Sequence, residues 1–284
     1  MLTLNQKQLI KATVPVLKEH GPLLTTHFYG RVFAHHPELK NVFNQANQQD
    51  GRQPMALASA VLAYAQHIDD PSVLGAALTR INHKHTSLDI RPEHYPVVGH
   101  HLLASIGEVL GEAATPELLD AWGAAYGQLA SLMIDTEAGM YAAQLDKPGG
   151  WCGWRSFVIR TKIAESDEHT FMHLYPADGG LVAEHLPGQY LSLRLFLPEL
   201  DLHQPQQYRI LNAPNSSYYC ISVKREPGLD GLSPETVSNR LHDAIREGDQ
   251  VDVSAPAGEG RVAISPEKQA TTATMSGCPM HQAA

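Results

Sequence analysis

The spacing of apolar residues changes once along this chain, near residue 146, and that change constrains the fold more than any other feature. Before it, apolar side chains recur at helical spacing in long runs, which is typical of amphipathic helices. After the turn-forming residues 147–150, short runs mix apolar and polar residues between Pro, Gly and Asn, which is typical of strands. The sequence therefore predicts a multidomain chain, an all-α region followed by a small antiparallel β-barrel.

About seven helices are predicted in the first region, which we place at residues 1–145. The first run is expected to end at residues 20–22 (His-Gly-Pro), and a second to reach residue 35. Residues 44–51 (NQANQQDG) are interpreted as a polar loop. Longer helices are predicted over 53–68, 73–83, 92–110 and Pro116–Leu145.

The second region, residues 146–265, is predicted to be the barrel with one helix over 237–246. Residues 266–284 have no periodicity and few large apolar groups, so we expect a disordered tail. Its Cys278-Pro279 pair is a weak haem-thiolate signal. Strands are predicted over 154–162, 170–175, 189–196, 207–211, 218–225 and Gln250–Ser254.

Composition excludes several classes of protein. The net charge of −9 argues against a nucleic-acid binder, which would carry a basic patch. There is no run of eighteen apolar residues and no basic segment followed by an apolar one at the start. We therefore expect a cytoplasmic protein without nucleic-acid or membrane partners.

The chain contains sixteen histidines, most of which are expected to be solvated or structural. His85 ends one helical run, Tyr95 lies in the first turn of the next, and Glu137 lies late in the last long helix. A carboxylate that accepts a hydrogen bond from a ligand histidine makes that ligand more basic. The residues alone do not place these three together. His83 points to another helix face and is left unassigned. The adjacent pairs His35, His36, His100 and His101 are predicted to be exposed.

Four stretches of the helical region form a recognisable pattern, namely HFYGRVFAHHPELKNVFN, NHKHTS, RPEHYPVVGHHLLASI and LDAWGAAYGQLASLMIDTEAGMY. Through them, the region resembles the globin domain of the bacterial flavohaemoproteins, the nitric oxide dioxygenases, over nearly all of residues 1–145. The resemblance implies a haem b group with His85 as the proximal ligand of the iron. Tyr95 and Glu137 then complete a hydrogen-bonded relay behind that ligand.

The same resemblance implies the other residues of the haem pocket. Tyr29 matches the distal tyrosine, whose hydroxyl stabilises O2 through its partial negative charge. Gln53 matches the distal polar residue, and Leu57 the apolar residue over the iron. Phe43 matches the aromatic side chain that packs on the macrocycle, and Lys84 the residue near a propionate. In isolation, Tyr29, Phe43 and Leu57 would be interpreted as ordinary core residues.

The barrel resembles the FAD-binding domain of the same family through stretches such as GGWCGWRSFVI, LPGQYLSL and GDQVDVSAPAG. The family signature is an Arg-x-Tyr-Ser strand and a Gly-x-x-Ser turn, which supply a cation, hydroxyls and backbone N–H groups to the flavin and its phosphates. Three residues keep the expected identity and are candidate FAD contacts, namely Tyr190, Tyr208 and Ser238.

Three other residues depart from that signature. Gln206 stands in place of the arginine, Arg209 in place of the serine, and Glu235 in place of the glycine. We therefore predict weak or absent FAD binding. The resemblance stops after Gly258, and the remaining residues contain no Gly-rich strand-to-helix turn, so no NAD(P)H site is expected.

The favoured function is a haem protein that binds O2 and NO and acts as an oxidoreductase of the nitric oxide dioxygenase type, detoxifying NO to nitrate. Its electrons would come from an external reductase. Two alternatives stay open. One is an O2 or NO sensor or carrier with a non-catalytic barrel, and the other is an inactive, truncated flavohaemoprotein. Whether the chain is an enzyme is left open.

Overall fold

The computed structural model describes residues 1–227 and 236–260. Their contacts form two compact units. The first consists of Met1–Asn82 with Ile90–Ala138, and the second of His83–Asp89 with the described residues from Gly139 onwards. The predicted domain boundary after residue 145 stays a prediction.

The prediction of an all-α region is confirmed. Three 3-10 turns, Pro37–Asn41, Pro71–Leu74 and Gly111–Ala113, connect its helices. The helices are α1 (Leu4–Ala12), α2 (Val14–His35), α3 (Gln45–Gln49), α4 (Arg52–Gln66), α5 (Gly75–Ser87), α6 (His94–Leu110) and α7 (Pro116–Leu145).

The predicted helix break at Pro22 is wrong. Helix α2 continues through Pro22, and the break between helices lies at Thr13 instead, where α1 ends and α2 begins. An internal proline costs about 3 kcal/mol locally. Packing along the whole helix outweighs that cost, because Leu24 is buried and Gly21 lies against α4, where a Cβ at Gly21 would be 3.4 Å from the Cβ of Ala58.

The predicted polar loop at residues 44–51 contains the short helix α3. The Asn44 side chain accepts a hydrogen bond from the backbone N–H of Asn47 at 3.0 Å, which caps the helix. Gly51, at a φ of +77°, then makes the left-handed turn into α4. The capping residue was visible in the sequence, but the segment carries no apolar spacing to mark a helix.

The second unit is a curled, six-stranded antiparallel sheet, as predicted. Its strand order is β4-β3-β6-β1-β2-β5, and every neighbouring pair is antiparallel. An isolated bridge between Ile210 and Ile221 links the two ends of that order. The elements are β1 (Trp154–Ala164), β2 (His169–Pro176), β3 (Tyr190–Leu197), β4 (Leu202–Arg209), β5 (Tyr219–Lys224), α8 (Val237–Asp243) and β6 (Gln250–Ser254).

Strand β4 occupies earlier residues than the predicted 207–211. It pairs with β3 along its whole length, from Leu197 opposite Leu202 to Tyr190 opposite Arg209. The sequence Leu-His-Gln-Pro-Gln-Gln lacks the β-branched residues of a typical strand, and its proline argued against one. Pairing with β3 overrides that weak local preference.

Helix α8 ends at Asp243 rather than at the predicted residue 246. The Lys162 ammonium group on β1 donates hydrogen bonds to the carbonyl oxygens of Leu241 and His242 at 2.7 Å, and of Ile245 at 2.8 Å. Carbonyls at a helix end lack partners within the helix, so a cation placed there fixes where the helix stops.

Each unit has its own apolar core. Phe28, Ile68 and Ile106 are almost fully buried in the first, and Phe157, Leu174 and Val253 in the second. Among the described helices, none has the length and apolar character needed to cross a membrane.

Candidate functional site

Tyr29 lies at the centre of an aromatic cluster in the first unit. It is 7% exposed, and its ring centroid lies 4.9 Å from that of Phe28, 5.9 Å from Phe33 and 5.6 Å from Phe43. The structure therefore brings together Tyr29 and Phe43, two of the predicted pocket residues. Phe33 belongs to the same cluster, since its ring lies 5.7 Å from that of Phe43.

Two amide side chains lie at the hydroxyl group of Tyr29. Burial raises the pKa of Tyr29 to about 12, and hydrogen bonds from Gln53 and Gln48 oppose that rise. The phenol is thus neutral at physiological pH and keeps its proton for donation. Leu57, one turn after Gln53 on α4, packs half-buried against the core. Gln48 on α3 was missed because its segment was interpreted as a loop.

Tyr95 and Glu137 form a buried hydrogen-bonded pair, as the sequence resemblance implied. The Tyr95 hydroxyl on α6 donates to Oε1 of Glu137 on α7 at 2.8 Å. The residues are only 7% and 3% exposed, respectively. A buried carboxylate is costly unless it is hydrogen-bonded, so this phenol donor helps to hold the Glu137 side chain in place.

Tyr126 was missed by the sequence analysis. Its hydroxyl donates to the carbonyl oxygen of Tyr95 at 2.6 Å, and burial raises its pKa. Its ring occupies the space beside Gly99, where a Cβ would lie 2.4 Å from Cε1 of Tyr126. A glycine one turn after Tyr95 in a helix was the available signal that another side chain approaches α6 there.

His85 lies in the last turn of α5, half-buried, and its carbonyl oxygen accepts the N–H of Leu88 at 3.0 Å. Lys84 beside it is exposed. Both residues belong to the second compact unit, together with His83, whose pKa is lowered by burial. The assignment of His85 as iron ligand and of Lys84 to a propionate stays a prediction.

The residues of the first unit fit a haem group. A haem site requires apolar and aromatic walls, polar groups on the distal side and hydrogen-bonded partners behind the proximal ligand. Tyr29, Phe43 and Gln53 supply the first two kinds of group. The buried Tyr95–Glu137 pair has the chemistry of the third, because its carboxylate can accept a further hydrogen bond from an imidazole N–H.

Two candidate flavin contacts in the second unit are bonded to each other. The hydroxyls of Tyr208 on β4 and Ser238 on α8 lie 3.0 Å apart, and both residues are buried. Burial raises the pKa of Tyr208. Tyr190 instead interacts with the hydroxyl of Ser87, and burial raises its pKa as well.

The register of β3 and β4 places the candidate flavin contacts Tyr190 and Tyr208 on different faces of the sheet. Tyr190 lies opposite Arg209, while Tyr208 lies opposite Leu191, so the two tyrosines belong to opposite faces of the sheet. Gln206 shares the face of Tyr208 and is half-buried, and Arg209 is exposed. Glu235, the Cys278-Pro279 pair and the predicted tail all lie outside the described residues.

The prediction that four paired histidines are exposed is wrong for His101. His101 is 2% exposed, and the rings of His35, His36 and His100 lie with their centroids 5.1, 5.3 and 5.0 Å from its own. Burial and the neighbouring positive groups lower the pKa of His101. The sequence could not show this cluster, because it forms where the end of α2 meets α6.

Comparison with known proteins supports the globin fold of the helical region. Residues 26–133 match the globin family model. The chain is 56% identical over 261 residues to a flavohemoprotein of Bordetella pertussis and 54% identical over 259 residues to one of Chromobacterium violaceum. Each match covers 91% of this chain, and the chain spans 64% of the length of either relative.

A solved structure shares the fold over both units. The flavohemoglobin of Malassezia yamatoensis, determined with bound FAD and heme, is 29% identical and superimposes with a TM-score of 0.80. That match covers 91% of this chain and 65% of the other.

Proposed function

We propose that this chain, which resembles the flavohemoproteins in both its globin domain and its FAD-type barrel, binds haem b, O2 and NO and catalyses the dioxygenation of NO to nitrate. The observation that carries the proposal is the buried Tyr95–Glu137 pair, bonded at 2.8 Å. A carboxylate is rarely buried for a purely structural role, and Glu137 is only 3% exposed. A proximal ligand that has to be strongly basic requires such a hydrogen-bond acceptor.

The haem iron, when bound, supplies the centre at which O2 and NO combine with one electron to give nitrate. The protein's own groups then have separate roles. With haem bound, Glu137 would accept a hydrogen bond from the imidazole of the proximal ligand, which would raise the electron density that this ligand gives to the iron. The neutral hydroxyl of Tyr29 would donate a hydrogen bond to an O2 ligand, and the hydrogen bond with Gln53 would orient that hydroxyl.

The electrons, we propose, come from a separate reductase, since the flavin site of this chain is weakened. Gln206 carries no charge for a phosphate, and Arg209 replaces a hydroxyl. Loss of one charge-assisted hydrogen bond costs roughly 1.5–3 kcal/mol of binding free energy. FAD is therefore expected to bind weakly.

An O2 or NO sensor or carrier is the second candidate. The mutual hydrogen bond of Tyr208 on β4 and Ser238 on α8 is its support, since it leaves two flavin-type hydroxyls bonded to each other beside a strand without the family arginine. In that case the haem ligands bind but no sustained turnover follows, even with a reductase present.

The haem assignment is tested by the substitution His85→Ala. We expect the variant to lose its haem and the Soret band of the purified protein, because the iron loses its protein ligand. His67→Ala, at an exposed histidine after α4, is the matched control and should keep full haem content. A His85→Ala variant with normal haem content and a normal spectrum would refute the assignment.

The electron source is tested by NO consumption under air, with FAD and NADH, in the presence and absence of an added reductase. NO consumption that occurs only when the reductase is added would agree with the proposal. Haem reduction by the chain with FAD and NADH alone would contradict it. NO binding without nitrate formation, with the reductase present, would identify the sensor or carrier.

The weakened flavin site is tested by restoring the family residues. The double variant Gln206→Arg with Arg209→Ser is expected to bind FAD about ten- to a hundredfold more tightly, which corresponds to one recovered charge-assisted contact. Flavin fluorescence quenching measures the affinity. Equal affinity of both proteins would show that these two positions do not limit binding.

A further inference from the structure

Four imidazole rings meet where the end of α2 packs against α6, in the first unit. His101 is the buried member, while His36 is half-buried and His35 and His100 are exposed. Three ring centroids surround that of His101 at 5.0–5.3 Å. None of the four belongs to the residues assigned above to haem or flavin.

That spacing lies within the range of ordinary packed rings and also matches the one expected when imidazoles share a metal ion. Zinc–nitrogen bonds are about 2.0–2.1 Å long, which places an imidazole centroid about 3.2 Å from the ion. At the tetrahedral angle, two such rings have centroids about 5.2 Å apart. The three separations from His101 all lie close to this value.

In His35 and His36, the ring nitrogen Nδ1 already has the kind of hydrogen-bond partner that ligand histidines require. Nδ1 of His35 lies 2.9 Å from the carbonyl oxygen of Arg31, and Nδ1 of His36 lies 3.1 Å from Oε1 of Glu38. Histidine ligands usually donate the N–H that faces away from the metal to a carbonyl or carboxylate. These contacts put the proton on Nδ1 and leave Nε2 of each ring as the ligand atom.

The buried ring supplies an unsatisfied nitrogen. Nδ1 of His101 is fully buried and has no hydrogen-bond partner among the described residues. Leaving a buried polar atom without a partner destabilises the folded protein. A metal ion bound to this nitrogen would remove that penalty.

The site requires small ring rotations before it can bind. Among the described residues, no three histidine, cysteine or acidic side chains already converge on one point. His35 and His36 can turn, since the first is exposed and the side chain of the second is 34% exposed. The one nearby fixed cation, Arg31, is paired with Glu108, which reduces its repulsion of an ion.

We propose that His101, His35 and His36 bind a divalent transition-metal ion, with His100 at the rim as a fourth nitrogen. An all-imidazole set suits Zn2+, Cu2+ or Ni2+ rather than Mg2+ or Ca2+. The ligand is the metal ion itself, so the site is independent of haem and of the proposed dioxygenation.

The experiment is a titration of the full, haem-loaded chain with Zn2+, measured by competition with a chelator and by equilibrium dialysis. We expect one tight site per chain. His36→Gln removes a ligand and should weaken it about a hundredfold, and Glu38→Gln, which removes only the hydrogen-bond partner of that ligand, about tenfold. His67→Gln is the control at an exposed histidine elsewhere and should bind as the wild type does.

X-ray absorption at the zinc edge gives a second readout, for which we expect four nitrogen neighbours at about 2.0 Å, one from each ring. His101→Asn should also abolish the tight site. If that variant does not fold, the less buried residues His35 and His36 still decide the matter. Wild-type affinity in both His35→Gln and His36→Gln, or an equal loss in His67→Gln, would overturn the proposal.

Discussion

Tyr29 combines burial with a hydroxyl that stays protonated, and these two properties determine what it can do for a small ligand. Its pKa of about 12 results from desolvation, against which the hydrogen bonds from Gln53 and Gln48 act. The group is therefore a hydrogen-bond donor over the whole physiological pH range. A buried donor favours a ligand that carries partial negative charge over a neutral one.

The substitution Tyr29→Phe should raise the dissociation rate of O2 by up to about tenfold. A net hydrogen bond is worth about 0.5–1.5 kcal/mol, and the partial charge on O2 favours the upper end of that range. Stopped-flow displacement of O2 by CO measures the rate. Tyr64→Phe removes another buried hydroxyl, bonded to the Ala125 carbonyl at 3.1 Å, and should leave the rate unchanged. An unchanged rate in Tyr29→Phe would place the hydroxyl elsewhere.

Among single residues, the sequence predicts those that match the family pattern at the family's spacing. Tyr29 with Phe43, and Tyr95 with Glu137, meet as expected. Tyr126 was missed, because its role depends on a contact between two helices that no local spacing encodes. The burial of His101 was missed for the same physical reason.

The end of α8 depends on a single side chain from a neighbouring strand. Lys162 donates to three carbonyl oxygens there, at 2.7–2.8 Å, and burial lowers its pKa. The ammonium group thus replaces the hydrogen bonds that the helix end cannot make for itself. Element boundaries of this kind are set by tertiary contacts.

The substitution Lys162→Met should lower the free energy of unfolding of the second unit by roughly 1.5–3 kcal/mol, the size of a charge-assisted hydrogen bond lost from a half-buried site. Urea unfolding followed by circular dichroism measures it. Lys224→Met is the matched control, since Lys224 only faces the exposed Glu168 at 3.6 Å and should cost no more than about 1 kcal/mol. Equal effects of the two would contradict this role.

The elements that the sequence misplaced are those in which packing and propensity disagree. Helix α2 continues through Pro22 because its buried side carries on past the proline. Strand β4 forms around Pro205 because β3 pairs with it on both sides of that residue. Elements whose periodicity agrees with their packing, such as α7 and β6, have the predicted bounds.

At the scale of the whole molecule, buried histidines should make the second unit sensitive to acid. The second contains His173 and His185, which are 6% and 2% exposed, and burial lowers the pKa of both. A buried neutral histidine becomes charged more readily in the unfolded chain. The stability that it contributes is therefore present above the ordinary histidine pKa of about 6.5 and is lost as the pH falls below it.

We expect the urea midpoint of the second unit to decrease as the pH is lowered from about 7.5 to about 5.5. The free energy of unfolding should change by up to about 1.4 kcal/mol per pH unit for each such histidine. Replacing His185 by Gln should remove one part of that slope, whereas replacing the exposed His203 should not. A midpoint that is constant over this interval would show that neither ring is held neutral by the fold.

The close approach of Gly99 and Tyr126 also has a consequence for how such a chain can change over generations. A methyl group at position 99 would lie 2.4 Å from the ring at position 126, so the two positions cannot vary independently. A lineage can acquire a side chain at 99 only after the ring at 126 has been exchanged for something smaller. The order of the two substitutions therefore matters, and homologous sequences should show the pair co-varying.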